Sequence, residues 1–185
     1  DKMKKLMDDI PAAKNIIMTV NAGKIDEKHW TQDTEIGGKR IIGEGCHFID
    51  LARYLVGHTI ENFNVMSLGN NTIQRNEGDK VTISLSFKDG SQVTIHYLAN
   101  GGKSFQKERI EVFCNNSILQ LNNFISLIGY DWKGFNKLKL FKQNKGQKIC
   151  VEKFINAIKH GLPSPIPIEE ILEVSKKTIE IANSI

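Results

Sequence analysis

The stretch that most constrains the fold is residues 80–99, KVTISLSFKDGSQVTIHYLA. Two runs alternate β-branched or aromatic residues with others, and Asp89-Gly90 lies between them. Alternation at period two marks strands, and aspartate followed by glycine supplies a tight hairpin turn. Further strand runs are expected at residues 60–68, 109–114 and 117–121, the last two flanking Asn115-Asn116, and at 138–142. Residues 16–20 form a short apolar, β-branched run that reads as a buried strand. Consecutive strands joined by short turns make an antiparallel meander, not a series of βαβ units. Helical spacing is found at residues 2–9, in the stretch ending near Val56, at 151–159 and at 168–185. The fold class expected is α+β: a large, mainly antiparallel open sheet with helices packed on one face. The two long strands at 80–99 are expected to place apolar side chains on both sheet faces.

With 185 residues and 25% charged residues, the chain has the size and composition of one large globular domain, or of a domain with an extra arm. No apolar run approaches the roughly 18 residues needed to cross a bilayer, and no signal-peptide pattern precedes the first helix, so a cytoplasmic setting is expected. Cys46, Cys114 and Cys150 are odd in number and widely spaced, which points to reduced thiols and not to a zinc or disulfide framework. His29, His58, His96 and His160 show no metal spacing. Lysine is densest at residues 133–148. A sheet-edge strand at 136–142, protected by its lysines, explains that density better than a nucleic-acid surface.

Most of the chemistry is concentrated at residues 37–55, GGKRIIGEGCHFIDLARYL. In a helix, Arg40, Glu44 and His47 stack along one face, followed by Leu51, while Ile42, Phe48, Ile49 and Leu55 turn to the core. Gly57 is placed to cap that helix. A cation, a carboxylate and an imidazole on one face are costly to bury unless they satisfy one another or a ligand. Cys46 and His47 point about 100° apart, so they are not a nucleophile–base pair and Cys46 reads as helix packing. The four glycines at 37, 38, 43 and 45 do not have the G-x-G-x-x-G spacing of a dinucleotide loop; they give room for close backbone approach. Upstream, a long polar connection from Asn21 to Gly38 carries His29, Trp30, Asp33 and Glu35. A loop of that length is usually functional, and Trp30 is expected to be tied down by core packing.

Five segments together, Val20-Asn21-Ala22-Gly23, His29-Trp30, residues 37–57, YLANGGKSFQKERIEVF and PIPIEEILEVSKKTIEI, resemble the C-terminal domain of the glucose-fructose oxidoreductase / inositol dehydrogenase / MocA-type dehydrogenases. The resemblance is to the branch of sugar and nucleotide-sugar dehydrogenases found in polysaccharide gene clusters. It covers nearly the whole chain. It implies that residues 1–10 are a remnant helix of a preceding Rossmann domain and that residues 11–185 are a substrate-binding and oligomerisation domain. It implies NAD or NADP as cofactor, held mainly by that other domain together with a catalytic lysine, so that this piece would not transfer hydride alone. It implies a small-molecule sugar or nucleotide-sugar partner and a homo-oligomer built through the sheet face, with no nucleic-acid or membrane partner.

His47 and Asp50 fall on the family's H-x-x-D helix. The resemblance therefore implies that His47 exchanges the substrate hydroxyl proton as general acid/base, a role suited to an imidazole at neutral pH. Glu44 or Asp50 would fix its tautomer. Many members carry an aspartate at the position of Gly43; here Glu44, one residue later, is the candidate replacement. Arg40 either clamps an anionic substrate group in bidentate fashion or forms a plain intrahelical ion pair with Glu44. Asn21 and Trp30 are further candidates for the substrate wall, and Lys103 and Lys107, flanking the Gly101-Gly102 loop, for phosphate contacts. The alternative function is a non-catalytic oligomerisation or carbohydrate-binding module.

Overall fold

The computed structural model describes residues 1–26, 28–33, 35–68 and 79–185; positions 27 and 34 of the long polar connection lie outside the described residues. Eight strands form one sheet among them: β1 (Asn15–Asn21), β2 (Ile60–Ser67), β3 (Lys80–Phe87), β4 (Gln92–Leu98), β5 (Glu108–Cys114), β6 (Ser117–Asn122), β7 (Ser126–Tyr130) and β8 (Lys137–Lys139). Their spatial order is β2-β3-β4-β1-β5-β6-β7-β8. β1 is parallel to β4, and every other pairing is antiparallel. Because β1 enters between β4 and β5, the chain leaving β4 must cross the end of β1 before β5 begins. That crossing segment, residues 99–107, overhangs the site described below.

The Asp89-Gly90 turn forms as expected. Gly90 has φ of 83°, and the Asp89 carboxylate accepts bonds from the Ser91 amide (3.0 Å) and hydroxyl (2.8 Å). Asn115 and Asn116 both take positive φ in the second hairpin, which asparagine tolerates better than most residues. The alternation of β3 and β4 is one-sided, contrary to expectation. Val81, Ile83, Leu85, Phe87, Val93, Ile95 and Tyr97 are buried, while the other face carries Thr82, Ser84, Ser86, Gln92, Thr94 and His96. β7 is a strand not anticipated from sequence: SLIGY is short and carries a glycine. It pairs in register from Ser126 opposite Asn122 to Tyr130 opposite Ile118. The lysine-rich edge strand is present, shortened to Lys137–Lys139.

Helices α1 (Lys2–Asp8), α2 (Cys46–Val56), α3 (Gln147–His160) and α4 (Ile168–Asn183) complete the described elements. α2 buries Phe48, Ile49, Ala52, Leu55 and Val56, α1 adds Met3 and Met7 to the same core, and Gly57 ends α2 at φ 81°. α2 is also anchored by charge. Arg53 Nε donates to Glu173 Oε2 on α4 at 3.0 Å, while Glu173 Oε1 accepts the Ile60 amide at 2.6 Å. Glu173→Ala would leave the Ile60 amide without its acceptor and the largely buried Arg53 with the more distant Glu170 carboxylate, 3.8 Å away. It is expected to cost about 2–4 kcal/mol in denaturant unfolding, whereas Glu169→Ala, on the exposed start of α4, should change little.

Candidate active site

The helix carrying His47 does not begin as an α-helix. Residues Ile41–Gly45 form a π turn, in which the Cys46 amide donates to Ile41 O, five residues back, as well as to Glu44 O. Single π turns inside helices recur at functional sites. The wider turn changes the phase of the apolar positions, so Ile41 takes the core position and Ile42, expected inside, is 39% exposed. Gly45 permits the turn by packing against the Ile41 side chain, where a Cβ would lie only 3.2 Å away.

Arg40 stands at the entrance to this turn and is 2% exposed. Its Nη1 donates to Gly23 O at 2.7 Å; its Nη2 donates to Ala22 O at 3.3 Å and to Glu44 Oε2 at 2.7 Å. The guanidinium lies 5.3 Å from the centre of the Tyr97 ring, and Asp79 Oδ2 is 3.9 Å from Nη1. The Tyr97 hydroxyl donates to the same Glu44 oxygen. Arg40 is therefore neither a simple surface ion pair nor a free clamp: it fastens the end of β1 to the helix entrance.

Burial alone would push the Glu44 carboxyl up, but bonds from Tyr97 and Arg40, with the charges of Arg40 and Lys107, outweigh it and hold the group below its ordinary 4.5. Burial and the Glu44 carboxylate push the Tyr97 phenol well above the usual tyrosine range. A carboxyl whose pKa is lower in the fold than in the unfolded chain stabilises the fold above its unfolded pKa. That stabilisation is lost as pH falls through the folded value. Thermal midpoints of the parent and of Glu44→Gln should thus differ most near neutrality and converge below pH 4.5.

Asn21, expected on the substrate wall, clamps the crossing segment. Its Nδ2 donates to Gly102 O (2.8 Å) and Phe105 O (3.4 Å), and its amide to Lys107 O (2.8 Å). Gly101 packs directly against the Asn21 side chain, and any Cβ there would overlap Asn21 Oδ1. Lys103 and Lys107 are exposed on this segment, Lys107 near enough to act on Glu44. Trp30 corrects the expectation of core packing: it is 60% exposed in a short 3-10 turn, Trp30–Gln32, with its ring centre 5.9 Å from that of His29. Its backbone packs against Gly37, where a Cβ would overlap Trp30 O and Thr31 Cα.

His47 and Asp50 lie exposed on the first turns of α2. Crowding by protein atoms pushes the Asp50 carboxyl above its usual range; nearby His47 opposes the shift and Glu170 of α4 adds to it. Burial likewise raises the Cys46 thiol, consistent with a packing role. Among the described residues no hydrogen bond joins Glu44 to His47, and Glu44 instead faces Arg40, Tyr97 and Lys107. Tyr97 and Asp79 were not anticipated as parts of this site. For Tyr97 a signal existed: a tyrosine at a buried strand position needs an acceptor for its hydroxyl.

Comparison with known proteins places this sheet and its helices in a known family. Residues 14–120, more than half of the chain, match the sequence model of the GFO/IDH/MocA C-terminal domain. The chain belongs to that family. Solved structures share the fold over nearly the whole chain. Aldose-aldose oxidoreductase from Caulobacter crescentus, solved with glycerol, superposes with a TM-score of 0.75 at 15% identity, covering 98% of this chain and 57% of that one. UDP-N-acetylglucosamine 3-dehydrogenase GnnA from Acidithiobacillus ferrooxidans gives 0.72 at 13% identity, with 98% and 57% covered. A protein of gentamicin A biosynthesis solved with NAD gives 0.66 at 15%, with 99% and 56% covered. This GFO/IDH/MocA chain thus spans less than three fifths of each of these three solved structures. A comparison with curated proteins found no match.

The turn after β1 does not have the form of a dinucleotide phosphate loop. It holds a single glycine, Gly23, and leads into the polar connection instead of a helix. No helix among the described residues is long and apolar enough to cross a membrane.

Proposed function

We propose that this GFO/IDH/MocA domain is the substrate-binding part of a longer NAD(P)-dependent oxidoreductase that interconverts a hydroxyl and a ketone on a sugar or nucleotide sugar. The nicotinamide cofactor supplies the hydride chemistry and is held outside this chain. The observation that carries the reading is the exposed His47–Asp50 pair on a helix whose entrance is pinned by Arg40 to the end of β1. His47 takes the hydroxyl proton during oxidation and returns it during reduction. Asp50, one turn on, stabilises the imidazolium that forms between those events. Lys103 and Lys107 reach any phosphate the substrate carries, and Asn21 keeps their segment in place. The experiment is cofactor reduction by the longer natural protein with neutral, amino and acidic sugars, free and UDP-linked. Turnover of one class supports the reading, and none with any sugar contradicts it.

A second reading, assembly into a homo-oligomer, is favoured by the uncovered face of the sheet. Phe113 of β5 and Tyr130 of β7 lie on it at 38% and 46% exposure, beside Ile118. Sedimentation of the parent should then show a dimer or larger species that Phe113→Asp dissociates. A monomer at high concentration contradicts it.

A further inference from the structure

We infer that Glu44 reads the substrate as a hydrogen-bond acceptor, so that the sugar position beside His47 carries hydroxyl or amino groups and not a carboxylate or phosphate. This rests on the oxidoreductase reading above and names the substrate class of that same site. The cation best suited to an acidic substrate has been withdrawn. Arg40 is almost fully buried, with both terminal nitrogens spent on Gly23 O, Ala22 O and Glu44. Its neighbour is the opposite case. The Glu44 side chain is 42% exposed, and both of its protein bonds, from Arg40 Nη2 and the Tyr97 hydroxyl, fall on Oε2.

A carboxylate anchored through one oxygen holds the other in a fixed place, and an ionised carboxylate can only accept. Pre-anchoring also lowers the ordering cost when a ligand binds. Tyr97, Arg40 and Lys107 keep Glu44 ionised at neutral pH, so it does not become a donor toward an acid. The surroundings reinforce this. Asp79 lies beside Arg40, Asp50 lies near His47, and Glu170 adds its charge near Asp50. The facing cations are Lys107, on the segment over Glu44, and Arg53, which is engaged by Glu170 and Glu173. A sugar acid placed against His47 and Glu44 would meet the carboxylates of Asp50 and Glu44, with the exposed lysines of the 99–107 segment as the facing cations. Like charges brought together in this way cost affinity directly.

The test uses the longer natural oxidoreductase and three matched sugars, glucose, glucosamine and glucuronate, each free and UDP-linked, with both NAD⁺ and NADP⁺. A neutral or amino sugar should exceed its glucuronate counterpart in kcat/KM by about 100-fold or more. Glu44→Gln should shrink that ratio about tenfold, while Glu44→Asp, which keeps the charge, preserves most of it. A preference for glucuronate in the parent overturns the inference. So does a Glu44→Gln variant that lowers kcat/KM for every sugar by the same factor, because that is the mark of a structural role alone. Absence of turnover with all six sugars overturns the oxidoreductase reading itself, a separate and recognisable outcome.

Discussion

Replacing His47 with alanine in the longer natural oxidoreductase should lower kcat by about 10²- to 10⁴-fold, the range for loss of a positioned general acid/base. The fold should barely notice. His47 is exposed and outside the buried core, and surface substitutions of that kind usually change stability by about 0.5 kcal/mol or less. A drop in turnover with an unchanged thermal midpoint therefore separates chemistry from folding. His47→Gln keeps a polar side chain but no titrating group and should be nearly as slow. Asp50→Asn should cost less, because it removes support for the imidazolium and leaves the proton acceptor in place. If His47→Ala turned over at the parental rate, the proton would be handled elsewhere and α2 would be a purely structural helix.

Arg40→Leu should have the opposite signature, a large loss of stability whatever happens to turnover. The substitution leaves the carbonyls of Ala22 and Gly23 and the Glu44 carboxylate without their donor, and Asp79 without the cation beside it. Breaking a buried ionic cluster from one side typically costs about 3–5 kcal/mol. Arg40→Lys should recover little, since one ammonium cannot reproduce the forked geometry that spans two carbonyls and a carboxylate. Urea unfolding monitored by tryptophan fluorescence reads the difference. A loss of under about 1 kcal/mol would mean that the cluster behaves as an ordinary surface pair. Tyr97→Phe should lie between these limits: it removes one donor to Glu44 and keeps the ring beneath Arg40.

The sheet was legible wherever alternation was long and the turn residues unambiguous, as in β3, β4 and the Asp89-Gly90 and Asn115-Asn116 hairpins. It was not legible at β7, where five residues containing Gly129 carry too little pattern and pairing with β6 and β8 decides the conformation. One-sided burial in β3 and β4 was missed because Thr, Ser and His alternate with the apolar residues and compete with them only weakly in a strand pattern. At the site, i,i+4 spacing correctly brought Arg40 and Glu44 together, and Lys107 does approach them. What spacing could not reveal was the π turn, in which Gly45 packs closely against the Ile41 side chain and Ile42 lies outward. Nor could it show that Arg40 would be absorbed by two carbonyls at the end of β1. That outcome depends on β1 lying centrally, a long-range fact. Trp30 was misplaced for a related reason: residue type argues for burial, but here the glycine at 37 holds the backbone and leaves the indole outside.

Whether His47 can exchange the proton depends on where it sits relative to the reacting carbon. The measurement that tests it most directly is a crystal structure of the longer natural protein with a nicotinamide cofactor and its sugar substrate bound. The prediction is that a His47 ring nitrogen lies within about 2.6–3.2 Å of the hydroxyl being oxidised, directly or through one water, with Asp50 on the far side of the imidazole. A sugar bound with its reacting carbon turned away from α2, or His47 buried against another subunit, would contradict it.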